Sequence, residues 1–125
     1  MKKILVTLVL LFSILGFAQQ GKIYPKNKKI KRGEVNTYIY EPPAGLEIPE
    51  DAWAIGQSES FEYVSSRLIK KNSKYEFSMK FSGKTNLILV TINDKKSKAL
   101  DTNNYKGYAV KTNSKFSEDE MRLTE

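Results

Sequence analysis

SKYEFSMKFSGKTNLILVTIN, residues 73–93, carries the clearest geometric signal in the chain. Tyr75, Phe77, Met79 and Phe81 alternate with Glu76, Ser78 and Lys80. Successive side chains of a strand point to opposite faces, so this alternation puts four large apolar groups on one side and polar groups on the other. Ser82, Gly83, Lys84 and Thr85 supply turn chemistry. Residues 86–93 (NLILVTIN) are then apolar at both parities, as in a central strand covered from two sides. Together the two segments predict a hairpin at the centre of an all-β domain.

Upstream, residues 33–41 (GEVNTYIYE) read as the first good strand, with Val35, Thr37 and Ile39 on one face and Asn36, Tyr38 and Tyr40 on the other. The aliphatic face is expected inward and the tyrosines on the outer or rim side, either covering the sheet or forming a binding platform. Pro42, Pro43 and Gly45 stop the strand, because proline cannot donate to a ladder. Residues 46–51 form an acidic connection broken by Pro49. In the next strand, residues 52–55 (AWAI), Trp53 is the sole tryptophan and the leading candidate for a core plug between two sheets, with sugar stacking as the alternative. Residues 56–60 read as a loop. In residues 60–66 Phe61 and Tyr63 alternate with Glu62 and Val64, a short strand continuing toward Leu68 and Ile69 after a bulge. Residues 70–74 form an exposed turn.

Downstream, a charged loop at residues 93–98 leads to DTNNYKGY, residues 101–108. Asp101, Asn103 and Asn104 can accept hydrogen bonds from nearby backbone amides and Gly107 permits a positive φ, so these four residues specify a structural turn into a strand at residues 108–110. A calcium loop is the rival reading. Against it, the glycine falls one place late, the closing Glu is missing and Lys106 brings a positive charge. Ser117 with Glu120 has the form of a capping box, a C-terminal helix start within residues 114–125.

The remaining sequence sets bounds. Lys2 and Lys3 precede an apolar run, and Gly16-Phe17-Ala18 offers small residues at the positions a signal peptidase inspects, so residues 1–18 read as an export signal cleaved after Ala18. The run is shorter than the roughly 20 residues that span a bilayer, and no cysteine follows to carry a lipid, so no stable membrane anchor is expected. Removing 18 of 125 residues leaves 107, enough for one domain. The leader takes Lys2 and Lys3 and no acid, so the formal charge of +7 falls to +5. Residues 19–33 are a basic lead-in, including Lys28, Lys29 and Lys31. They read either as a solvated approach to the first strand or as an electrostatic patch for phosphate, lipid headgroups or nucleic acid; with Tyr24 its only aromatic, the run points away from nucleic acid. Cys and His are both absent, which closes thiol and imidazole catalysis and Cys/His metal sites. No cofactor is implied. Carboxylates alone could serve an enzyme, with Glu59 and Glu62 or Asp94 and Asp101 as the pairs.

The order GEVNTYIYEPPAG, a Trp-bearing strand, KYEFSMKFSGKTNLILVTIND, then DTNNYKGYAV resembles the immunoglobulin-like N-terminal module found ahead of thioredoxin-like domains in exported proteins of Gram-negative bacteria. The matching positions are Gly33 with Tyr40, and Asp101, Asn103, Asn104 and Gly107 with Tyr108. The resemblance spans residues 22–111, and the Cys-x-x-Cys of the following redox domain is absent. It implies a periplasmic or secreted location and an accessory role.

The expected fold is an antiparallel immunoglobulin-like β-sandwich of about seven strands over residues 34–113, with a small barrel as alternative. Val35, Ile39, Trp53, Ile55, Tyr75, Phe77, Met79, Leu87, Leu89 and Val110 are expected inward. The expected function is a non-catalytic interaction module contacting a neighbouring domain or protein partner, with Tyr38, Tyr40, Tyr63, Lys28, Lys29 and Lys31 as candidate surface residues. The alternative is a carbohydrate-binding module using exposed aromatics.

Overall fold

The computed structural model describes residues 21–113. The export signal and the C-terminal helix start lie outside the described residues. Nine strands form in the order β1 (Lys22–Pro25), β2 (Asn36–Glu41), β3 (Trp53–Ser58), β4 (Tyr63–Arg67), β5 (Ile69–Lys71), β6 (Lys74–Met79), β7 (Leu87–Asn93), β8 (Ala99–Asp101) and β9 (Tyr108–Lys111). One sheet has the order β1-β2-β6-β5; the other has β4-β3-β7-β8, with β9 also on β7. Every pairing is antiparallel. In immunoglobulin lettering these are A-B-E-D and C′-C-F-G, the strand orders of that sandwich. The first strand lies inside the segment read as a lead-in: β1 pairs with β2 at the sheet edge, where Pro25 is tolerated.

The two segments of residues 73–93 are both central strands, yet they are not a hairpin. β6 pairs with β2 and β5, whereas β7 pairs with β3, β8 and β9, so residues 80–86 arch from one layer to the other. The apolar side of β6 thus faces the apolar side of β7 across the core. Phe81 and Thr85 are buried within the arch, and the Thr112 hydroxyl donates to the Thr85 carbonyl. A second change of sheet takes a single residue. Arg67 pairs with Trp53 in one sheet and Ile69 with Glu76 in the other, while Leu68 between them is buried and donates its N–H to the Ala52 carbonyl at 3.0 Å.

Two strands present the opposite face from the one expected. Register with β6 places Tyr38 opposite Phe77 and Tyr40 opposite Tyr75. The parity that buries Phe77 and Met79 therefore buries the tyrosines too, and Tyr38 stacks on Phe77 at 5.5 Å between ring centroids. Ile39 is left half-buried and Val35, ahead of the strand, is exposed. In β3 the inner residues are Ala54, Gly56 and Ser58, and Trp53 points outward, 36% exposed. The reason is volume. A Cβ on Gly56 would lie 2.8 Å from Met79 Sδ and 3.0 Å from Phe81 Cζ, so the bulk of β6 and its extension already fills the space facing β3. Ile55 and Tyr75 are half-buried, Leu89 faces out, Leu87 is buried on the same outward parity beneath a groove at one end of that face, and Phe77, Met79 and Val110 sit in the core with Ile88, Val90 and Ile92.

Candidate interaction face

The two outer faces of the sandwich differ in chemistry. On the β1-β2-β6-β5 sheet, polar groups satisfy one another. The Tyr24 hydroxyl donates to Glu41 at 2.6 Å, Lys22 and Lys26 pair with Glu41 and Glu76 at 3.5 and 2.9 Å, and Thr37 and Ser78 share a hydrogen bond of 2.8 Å. The Tyr24 hydrogen bond, with Lys22 and Lys74 nearby, holds the Glu41 carboxyl below the usual carboxylate range.

The outer face of the other sheet mixes apolar side chains with uncharged polar ones and keeps its charges at the strand ends. Register aligns Tyr63, Gln57, Leu89 and Ala109 in one row, Ser65, Ile55 and Thr91 in the next, and Arg67, Trp53 and Asn93 in a third. Tyr63 is 65% exposed, Leu89 41% and Trp53 36%, and Phe61, in the loop beside them, is 75% exposed. The charged groups on these rows and their continuations are Arg67 and Lys111, each at the end of a strand.

One end of this face is a groove of ≈ 820 Å³. Gln57, Leu89 and Ala109 form its floor, Glu59 and Phe61 one wall, and Asn103, Lys106 and Gly107 the other. The second wall exists because the last strand is interrupted. Asp101 pairs with Ile92 and Tyr108 with Val90, so residues 102–107 leave the sheet opposite a single residue of β7. Asn103, Asn104 and Tyr105 take positive φ of 51°, 57° and 67°, followed by Gly107 at 72°. A Cβ on Gly107 would meet Leu89 Cβ at 3.3 Å, so glycine serves both the φ and the close packing of the loop on the groove floor.

The loop is pinned by a buried polar cluster. Tyr40 and Tyr108 donate to the same Asp101 oxygen, Oδ2, at 2.5 and 2.6 Å, and the Asn103 N–H donates to Oδ1 at 3.1 Å. The Asn103 side chain donates to the Gly107 carbonyl at 3.0 Å, which closes the turn. Burial, then the bond to Asp101, pushes both phenols up from their ordinary pKa. Tyr38, whose hydroxyl donates to the Lys111 carbonyl at 3.0 Å, is pushed up to about 12, burial being the main cause. The Asp101 carboxylate is therefore committed to the core rather than open to an ion in the loop.

Of the candidate surface residues, Tyr38 and Tyr40 are at 1% and 0% exposure and cannot contact a partner. Tyr63 lies on the outer face of the β4-β3-β7-β9 sheet. Lys28, Lys29 and Lys31 are exposed on the β1–β2 loop, off that face. Leu89 and Phe61 were missed as surface groups, and for Trp53 the surface position given as the alternative is the one found; the small residues Ala52, Ala54, Gly56 and Ser58, alternating with Trp53, Ile55 and Gln57, were the available signal. The carboxylates weighed for acid–base work hold loops together. Glu59 and Glu62 accept the Asn86 and Ser82 N–H groups, and Asp94 accepts those of Lys96 and Lys98.

The positions that carried the resemblance, Tyr40, Asp101 and Tyr108, meet in one hydrogen-bonded cluster although the first two are 61 residues apart. The sequence matches no family model and no curated protein.

Proposed function

We propose that this chain is a non-catalytic interaction module of an exported protein, and that a protein partner covers the outer face of the β4-β3-β7-β9 sheet. One observation carries the reading: Trp53, Phe61, Tyr63 and Leu89, three of them aromatic, are solvent-exposed together on one face, while the opposite outer face is knit by ion pairs and hydrogen bonds and exposes only the aliphatic Ile69 and Val35 at its margins. Exposed apolar side chains gathered on one face mark interaction sites, and aromatic anchors dominate their energetics. Export is supported by the leader pattern of residues 1–18, and a place ahead of a thioredoxin-like domain by the resemblance at Gly33, Tyr40, Asp101, Asn103, Asn104, Gly107 and Tyr108.

The test places a photo-crosslinking side chain at position 63 or 89, or at exposed position 78 on the other outer face, in the full chain expressed from Met1 in a Gram-negative host. The expected result is one discrete adduct from 63 and 89, none from 78, and loss of the adduct on adding Trp53→Ser. Equal labelling from 78, or an adduct indifferent to Trp53, refutes the face. The exposed aromatics also favour a second reading, carbohydrate binding. In that case the fluorescence of Trp53, the sole tryptophan, would shift saturably with an oligosaccharide.

A further inference from the structure

The sequence shows a run of cations in residues 26–35; the fold adds a second loop to it. Asn36 pairs with Met79, so the β1–β2 loop and the arch of residues 80–86 emerge side by side at one end of the sandwich. They touch: a Cβ on Gly33 would lie 3.2 Å from Gly83 Cα, and Arg32 Nη1 donates to Asn86 Oδ1 at 3.4 Å. Lys28, Lys29, Lys31, Arg32, Lys80 and Lys84 are all exposed there. The four ion pairs among the described residues use Lys22, Lys26, Lys74 and Lys95, none of these six.

The β1–β2 loop is also held in place. Ile30 is 4% exposed and anchors it to the core, and the Asn36 side chain donates to the Lys31 carbonyl at 3.2 Å and to the Thr112 carbonyl at 3.4 Å. Three carboxylates stand at this end, Glu34, Glu59 and Glu62, the last two accepting backbone N–H groups of the arch, and against the six cations they leave a net formal charge of +3. Five of the six cations are lysines, compact point charges rather than the planar forks that read nucleic-acid phosphates and bases bidentately.

We propose that this end of the sandwich docks on the phosphate-bearing surface of an anionic lipid bilayer. The contact is peripheral and electrostatic, independent of the β4-β3-β7-β9 sheet face, and each cation contributes about fivefold to partitioning. Sedimentation of the full chain with phosphatidylglycerol-containing or pure phosphatidylcholine vesicles tests it. The expected result is binding to the anionic vesicles alone, falling steeply between about 50 and 200 mM salt as charge screening grows. The K28Q/K29Q/K31Q and K80Q/K84Q sets should each weaken binding, by roughly a hundredfold and twentyfold, and together abolish it. A K70Q/K71Q/K96Q set, on β5 and the β7–β8 loop at the opposite end, should bind as the parent does. Melting temperatures of all the variants confirm that they fold. Absence of binding to anionic vesicles, an equal loss in the K70Q/K71Q/K96Q set, or displacement from vesicles by a short RNA but not by added anionic vesicles would overturn the assignment.

Discussion

Replacing Asp101 with alanine is expected to cost far more than its position in a turn suggests. The carboxylate accepts from Tyr40 and Tyr108 at 2.5 and 2.6 Å, and those tyrosines are 0% and 6% exposed, so Asp101→Ala strands two phenols away from water. Each buried, unpaired polar group costs about 1–3 kcal/mol, giving about 2–6 kcal/mol for the substitution. For a domain of this size that corresponds to a fall in melting temperature of roughly 10–25 °C. Tyr40→Phe in the parent removes one hydrogen bond to a charged group, about 1.5–3 kcal/mol. In the Asp101→Ala background the same change removes an orphaned hydroxyl and should be neutral or stabilising. The double-mutant cycle therefore yields a coupling energy of about 2 kcal/mol or more, within the range for directly bonded groups. Urea unfolding followed by far-UV circular dichroism and by Trp53 fluorescence reads all four corners. If Tyr40→Phe costs the same with and without Asp101, the carboxylate is not what holds the tyrosine, and the account of the cluster fails.

At alkaline pH, Tyr38, Tyr40 and Tyr108 stay protonated in the fold while the unfolded chain releases their protons above about pH 10. The unfolded state is then favoured, and stability should fall by about 4 kcal/mol per pH unit from pH 10 upward, the Tyr38 share ending near pH 12, as read by urea midpoints at stepped pH. Gly56→Val should destabilise by about 1–3 kcal/mol, because its side chain would enter space held by Met79 and Phe81; a calorimetric melting temperature equal to the parent's would contradict the packing described. Tyr63→Ser should leave the denaturant midpoint within about 0.5 kcal/mol of the parent while abolishing the photo-adduct from position 89, separating contact from folding.

The architecture was legible where periodicity was strong. Alternation in residues 75–81 and continuous apolarity in residues 87–92 identified the central strands, and the Asp/Asn/Gly chemistry of residues 101–107 identified the turn. Pairing was not legible. A hairpin and a sheet-to-sheet arch share the same turn residues, and the choice rests on contacts with β2 and β3, distant in sequence. Face assignment failed in β2 because tyrosine was weighed as a surface residue. Its hydroxyls are satisfied by Asp101 and by the Lys111 carbonyl, 61 and 73 residues away. In β3 the lone tryptophan outweighed the four small residues alternating with it, although complementary volume across the core decides which parity fits. The exposed face was half legible: Tyr63 was singled out and a surface role for Trp53 stood as the alternative, while Leu89 became a surface group only once register was fixed.

Interrupting the outermost strand at residues 102–107 denies a neighbouring molecule a template. A continuous G strand would offer a long row of unpaired amides and carbonyls along its free side, but here that rim is split into pieces of three and four residues by a protruding loop. Across the sandwich the rims are the four-residue β1, which ends in Pro25, and the three-residue β5, which carries Lys70 and Lys71. A chain with no cysteine to lock its layers thus keeps three of its four sheet borders short, broken or charged against intermolecular zippering, the fourth being the five-residue β4.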